Sequence, residues 1–112
     1  MTVADLSWKI AGVADFNGDG RADILYRNDV TAASCVYYMN ANTSSGGGVS
    51  LTERNLSWKI VATGDYNGDG KADILYRNDT TGQLYLYLMN GTTPTASGFV
   101  NTEPNLAWKI VN

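Results

Sequence analysis

The sequence contains no histidine and only one cysteine, Cys35. With a single thiol the chain cannot form an internal disulfide, and it cannot build a zinc site from several cysteines. The absence of histidine also removes the commonest general base, which disfavours many classes of enzyme. We expect Cys35 to be a small buried apolar residue.

Runs of positive charge and long apolar stretches are also missing. Eight Lys and Arg residues stand against eleven Asp and Glu residues, which gives a formal net charge of −3. No basic cluster is present to neutralise the phosphates of a nucleic acid. No apolar run reaches the roughly 18 residues of a membrane span, and no leader-like segment follows Met1. We therefore expect neither a nucleic-acid partner nor a membrane association.

The chain is rich in glycine and aromatic residues, and they recur with a fixed period. Twelve glycines, seven tyrosines and three tryptophans favour strands joined by tight turns. The tryptophans lie 50 residues apart, at Trp8, Trp58 and Trp108, and each is followed by Lys-Ile. Residues 5–54 and 55–104 are identical at 26 of 50 aligned positions. The chain therefore holds two copies of one unit, at 1–54 and 55–104, and the start of a third at 105–112.

Each unit has the pattern of four short strands. In the third strand of the second unit, three leucines alternate with Tyr85, Tyr87 and Met89, so both faces of the strand are apolar. A sheet with two apolar faces lies between other sheets, as a blade of a β-propeller does. The predicted fold class is all-β, with two four-stranded antiparallel propeller blades per chain. The strands are predicted at 58–65, 72–77, 83–89 and 98–103 in the second unit and at 34–39 in the first, where 43–48 is predicted to be a flexible surface linker.

Two blades do not close a ring, and a blade that stood alone would expose a wide apolar face. We expect a homo-oligomer of three or four chains, joined head to tail, to complete the propeller. The alternative is that the two units belong to a longer chain. The motif Trp108-Lys109-Ile110 at one end of the chain repeats Trp8-Lys9-Ile10 at the other. In a ring, both ends would therefore compete for the same strand position. Either one end is displaced, or neighbouring chains exchange strands.

Each unit also contains a nine-residue loop rich in aspartate, at 15–23 and 65–73. Side chains with oxygen ligands occupy positions 1, 3, 5 and 9, and a glycine stands at position 6, which suits calcium. At position 7, Arg21 or Lys71 is expected to offer its backbone carbonyl while its side chain points to water. An EF-hand needs a glutamate at position 12, where these loops have Tyr26 and Tyr76. Simple tight turns without metal are the other interpretation. We expect two calcium ions per chain, with candidate ligands Asp15, Asn17, Asp19, Arg21 and Asp23, and Asp65, Asn67, Asp69, Lys71 and Asp73.

Together with the Ile-Leu-Tyr-Arg-Asn that follows it, this loop resembles the FG-GAP or VCBS repeats of integrin α-subunit propellers and of many bacterial extracellular proteins. The resemblance covers essentially the whole chain, and it implies calcium sites at the same loop positions and a location outside the cell. Trp-Lys-Ile stands where integrins have Phe-Gly, which argues against transferring integrin function. Propeller lectins of the Psathyrella type share the Asp-x-Asn-Gly-Asp-Gly loop and are similar in their aromatic-rich blades.

These features predict a non-catalytic, extracellular, calcium-stabilised binding module, and a multivalent carbohydrate-binding lectin in particular. Tryptophan can stack on sugar rings, while Arg and Asn can supply polar contacts. The candidate ligand-binding residues are Trp8, Arg27, Asn28, Trp58, Arg77 and Asn78. Two alternatives stay open: the tryptophans anchor the packing between blades, and the propeller is a structural or protein-interaction module.

Overall fold

The computed structural model describes residues 7–41, 43–52 and 56–100. These residues form eight strands and no helix, which confirms the all-β fold class. The strands are β1 (Trp8–Ala14), β2 (Asp23–Asn28), β3 (Ala33–Asn40), β4 (Thr43–Thr52), β5 (Trp58–Gly64), β6 (Asp73–Asn78), β7 (Leu84–Asn90) and β8 (Thr93–Phe99).

The strands form two antiparallel four-stranded sheets, each in sequence order: sheet one from β1 to β4 and sheet two from β5 to β8. The two sheets share one register, with Trp8 opposite Asn28 in sheet one and Trp58 opposite Asn78 in sheet two. A bulge follows Ile10 in β1, and another follows Ile60 at the same place in β5. The sheets therefore have the architecture of two propeller blades, as the repeat predicts.

The fourth strand of the second unit lies earlier than predicted. It runs from Thr93 to Phe99, not over 98–103, and residues 101–103 lie outside the described residues. The reason is a short turn directly after β7, in which Gly91 has a φ of 65° and Asn90 pairs with Thr93. Glycine adopts this left-handed conformation without steric cost. Pro94 is tolerated in the strand because β8 is at the edge of the sheet.

The prediction of a flexible linker at 43–48 is wrong. These residues form the first part of β4, and Gly46, Gly47 and Gly48 pair with Tyr38, Tyr37 and Val36 of β3. At Gly47 the neighbouring backbone comes so close that any Cβ would run into the carbonyl of Val36. The glycines permit this close approach, and composition alone does not reveal it.

The two sheets pack face to face around one core. Sheet one contributes Leu25 and Val36, sheet two contributes Ile74, Tyr76 and Met89, and all five are buried. We call the face that each sheet turns to the other its inner face and the opposite face its outer face. A buried arginine crosses the interface, since Nη1 of Arg27 donates to the backbone carbonyl of Trp58 and its guanidinium lies 5.3 Å from the ring centre of Tyr76.

The burial of β7 follows the sequence prediction in part, and the burial of Cys35 follows it fully. The side chains of β7 are half-buried on both faces from Leu84 to Leu88, and Cys35 is buried as expected. The sheets fall within 1–54 and 55–104, and the third copy of the motif at 105–112 lies outside the described residues. In the described part of the chain, no helix is long and apolar enough to cross a bilayer.

Candidate calcium loops and an aromatic cleft

Each aspartate-rich loop connects the first and second strands of its sheet, so strands flank it on both sides. In the first loop Gly18 and Gly20 have φ angles of 78° and 82°, and in the second Gly68 and Gly70 have 78° and 84°. The two loops thus have one conformation, and it depends on residues without a Cβ. The flanking strands agree with the rejection of an EF-hand.

The first aspartate of each loop organises the turn. In the first loop, Oδ1 of Asp15 accepts the N–H groups of Gly18 at 2.8 Å and Asp19 at 3.2 Å, and Oδ2 accepts that of Gly20 at 2.8 Å. Asp65 makes the same three bonds in the second loop, at 2.7, 3.2 and 2.8 Å. The N–H of Gly70 and its neighbours hold the pKa of Asp65 below its ordinary value. The carboxylate is therefore kept charged at the centre of the loop.

The side-chain oxygens of positions 1 and 3 lie close together. Oδ1 of Asn17 also accepts the N–H of Asp19, at 3.3 Å, so it shares this donor with Asp15. Oδ1 of Asp19 in turn accepts the N–H of Arg21 at 2.8 Å. The Arg21 side chain is exposed, as expected. The Lys71 side chain departs from the expectation that it points to water, since its Nζ donates to Oδ1 of Asn90 at 3.0 Å.

The last aspartate of each loop is completely buried and joins three parts of its sheet. Oδ2 of Asp73 accepts the N–H of Tyr66 at 2.9 Å, and Oδ1 accepts the N–H of Met89 at 2.8 Å. Asp23 makes the equivalent bonds with Phe16 and Met39, each at 2.9 Å. Each aspartate thus connects the loop to the third strand. A carboxylate offers about four lone-pair sites, so a cation bound here would use those that the backbone leaves.

The donor set of the loops fits a hard cation. Within residues 7–41, 43–52 and 56–100, no three Asp, Glu, Cys or His side chains form a metal cluster by themselves. The chemistry of the donors suits calcium, since each loop offers carboxylate, amide and backbone carbonyl oxygens, the mixture that calcium accepts in irregular geometry. The three carboxylates of a loop would come together only when the ion binds. Asp15, Asn17, Asp19, the Arg21 carbonyl and Asp23 would hold one ion, and their equivalents in the second loop would hold another.

Most of the residues proposed for ligand binding have structural contacts. Arg27, Asn28, Arg77 and Asn78 are all buried. Oδ1 of Asn78 accepts the N–H groups of Thr80 at 2.8 Å and Thr81 at 3.0 Å, and Asn28 caps the equivalent turn. Trp8 and Trp58 are half-buried at the first position of their strands. Of the six residues, only Trp58 lines the cleft described next.

An aromatic cleft of about 240 Å³ opens on the inner face of sheet two. Its rings lie close together, with centroids of Tyr85 and Phe99 4.8 Å apart and those of Trp58 and Tyr85 6.3 Å apart. Phe99 is 66% exposed, so the cleft is accessible at its rim. Sequence reasoning placed Tyr85 and Tyr87 on one face but did not connect them with Trp58 or with Phe99, which it placed near the start of the fourth strand rather than at its end. The cleft is lined by Trp58, Tyr76, Tyr85, Tyr87 and Phe99.

The fold and the loops together define an all-β repeat module with propeller-like blades. The model of the FG-GAP-like repeat family matches residues 15–76, more than half of the chain. The chain therefore belongs to the FG-GAP-like repeat family. Neither the search of curated proteins nor the search of solved structures found a match, so no relative supports the similarity to Psathyrella-type lectins.

Proposed function

We propose that this chain is a non-catalytic β-propeller module that binds calcium in its two loops and carbohydrate at its aromatic cleft, and that acts outside the cell. The observation that carries the calcium part is the convergence of the Asp15 and Asn17 oxygens on one N–H group, at 3.2 and 3.3 Å, repeated in the second loop at 3.2 and 3.4 Å. Both loops therefore present the same oxygens in the same conformation.

Calcium would stabilise the fold by neutralising the charges that each loop collects. Asp65 and Asp69 are exposed and lie in one short loop with the buried Asp73, where like charges repel. A divalent ion bound among them converts repulsion into attraction, and its binding free energy adds to the free energy of unfolding. Extracellular modules of this kind bind calcium at roughly 10⁻⁴ to 10⁻³ M, which is the basis for a location outside the cell.

The calcium proposal is tested by thermal unfolding and calorimetric titration in EDTA, calcium and magnesium. At about 10 mM calcium, linkage predicts about 1.4–2.7 kcal/mol of added stability per site, and less for magnesium. Asp15→Asn and Asp65→Asn should each remove one site, whereas Asp29→Asn and Asp79→Asn, at exposed turn positions, should retain both. Identical unfolding curves with EDTA and with calcium would refute the proposal.

The carbohydrate part is supported by the aromatic cleft. Flat rings next to polar groups suit the faces and hydroxyls of a sugar, and the hydroxyl of the lining residue Tyr85, which lies 3.0 Å from Oγ of Ser97, is such a polar group. Several copies of such a shallow site would act together in an oligomer, because linked sites raise avidity without new contacts. Carbohydrate binding therefore depends on the rings, while multivalency depends on assembly.

A glycan array followed by titration of the strongest ligand tests this part. Phe99→Ala should weaken binding at least about tenfold because it removes an exposed stacking ring, and Tyr85→Phe should retain stacking while removing one hydroxyl. Val30→Ala is a control, since Val30 is exposed in a turn away from the cleft. If no glycan binds to the folded, calcium-loaded protein, the carbohydrate proposal fails, and a structural or protein-interaction propeller is the remaining function.

A further inference from the structure

We infer that the outer face of sheet one is a docking surface for sheet two of a second copy of this chain. The inference rests on the assembly part of the proposed function, but not on calcium or carbohydrate binding. It follows from the interface that the chain already contains, in which the inner face of sheet one packs on the inner face of sheet two. The two sheets are copies of one unit. The outer face of sheet one therefore repeats the inner face of sheet two, and the outer face of sheet two repeats the inner face of sheet one.

The outer face of sheet one repeats the geometry of the inner face of sheet two. Tyr76 and Tyr87 on the inner face of sheet two meet edge to face, with centroids 5.6 Å apart at 74°. Tyr26 and Tyr37 do the same on the outer face of sheet one, at 5.7 Å and 87°. The surface that sheet one covers in sheet two is therefore present a second time.

Burial shows that much of this second surface is open, although Cys35, opposite Tyr26, is buried. Ile74 and Tyr76 are almost completely buried under sheet one, whereas their equivalents Ile24 and Tyr26 are only half-buried. At the same surface Ile10 is 63% exposed and Val13 is 58% exposed. A contiguous exposed apolar face of this kind is typical of a protein interaction surface.

The loops indicate which partner fits. The N–H of Ala72 donates to the carbonyl of Asp15 at 2.8 Å, and fully buried Phe16 packs in the shared core with Ala72 and Ile74. If two copies repeat this contact, the N–H of Ala22 in one copy, which is exposed in the single chain, would donate to the Asp65 carbonyl of the other copy. Tyr66, which stands where Phe16 does, would pack beside Ala22.

The outer face of sheet two is open where this contact would form. Tyr66 is 49% exposed, although its equivalent Phe16 is fully buried. An open groove also runs along Leu86 and Leu88. Leu75 and Arg77 on the same face are buried in the single chain, so the open part of this face is the region of Tyr66, Leu86 and Leu88. The contact joins different faces, so it is head to tail and can propagate or close into a ring.

The test measures mass by sedimentation velocity over a range of micromolar concentrations, in calcium and in EDTA. Val13→Asp places a charge on the docking surface, and Tyr66→Lys does so on the opposite partner face while retaining the N–H that Asp73 accepts. Each should raise the concentration for half assembly at least about a hundredfold, because an unpaired charge would be buried.

Val30→Asp is the matched control, since Val30 is 70% exposed in a turn, and it should assemble like the parent. Circular dichroism checks that each variant is folded, and Ile10→Asp repeats the test at a second exposed position.

Mixing the two disrupted variants tests the head-to-tail arrangement directly. Val13→Asp keeps an intact sheet-two face and Tyr66→Lys keeps an intact sheet-one face, so an equimolar mixture should form a dimer that grows no further. A mixture that stays monomeric, a parent that is monomeric throughout, or a Val13→Asp variant that assembles like the parent would each overturn the inference. Val13→Asp and Ile10→Asp lie outside both calcium loops, so unchanged calcium titrations in these two variants would separate this result from failure of the proposed function.

Discussion

Replacing Asp73 with asparagine should strongly destabilise the protein even without calcium. Both oxygens of Asp73 are buried and accept backbone N–H groups, from Tyr66 at 2.9 Å and from Met89 at 2.8 Å. An asparagine has one acceptor oxygen and one NH₂ group, so one of the two N–H groups would face a donor. A hydrogen bond to a charged group contributes about 1.5–3 kcal/mol, and a buried donor left unsatisfied costs about 1–3 kcal/mol.

The net loss in the free energy of unfolding should be about 3 kcal/mol. It is smaller than the sum of the two effects because the neutral asparagine, unlike the aspartate, does not bury a charge. The assay is urea unfolding in EDTA, followed by tryptophan fluorescence at one protein concentration. Asp23→Asn should lower the free energy of unfolding by a similar amount, since Asp23 makes the equivalent hydrogen bonds. The control is Asp79→Asn, an exposed residue 3.8 Å from Nζ of Lys59, which should change the stability by less than about 1 kcal/mol.

The reasoning is refuted if Asp73→Asn and Asp79→Asn unfold at the same urea concentration in EDTA. The same pair also separates the two roles of Asp73. If the carboxylate is in addition a calcium ligand, the loss caused by Asp73→Asn will be larger in calcium than in EDTA, while Asp79→Asn will show no such difference.

Three further predictions follow from individual contacts. Gly91→Ala should cost more than about 1 kcal/mol in thermal unfolding, because Gly91 has a φ of 65° and a Cβ there would run into the Tyr38 hydroxyl; unchanged stability would contradict this. Asn78→Ala should cost about 1–2 kcal/mol, because its Oδ1 accepts two turn N–H groups, whereas Asn78→Asp should retain most of the stability. Burial raises the pKa of the Cys35 thiol above its usual value, so its reaction with a thiol reagent at pH 8 should be at least about tenfold slower in the native protein than in urea; equal rates would refute the buried placement.

The loops, the first three strands of the second unit and the third strand of the first could be predicted because their signals are local. Alternating apolar residues indicate strands, and the glycines at Gly18 and Gly20 indicate the positive φ angles that the structure shows. The fourth strand could not be placed in the same way. Its residues in the first unit are largely Ser and Gly, and in the second unit it contains Pro94, so it depends on backbone pairing with β3 or β7 rather than on a side-chain pattern.

The sequence by itself determined that the chain is all-β, that it contains two copies of one unit, and that each copy carries an oxygen-rich loop. Only the tertiary structure decided how copies with the same residues differ: Tyr76 is buried where Tyr26 is half-exposed, and Phe16 is buried where Tyr66 is exposed. The tertiary structure also brought Trp58, Tyr85 and Phe99 into one cleft. The physical reason is that local patterns specify strands and turns, while burial depends on which face of each sheet meets a neighbour.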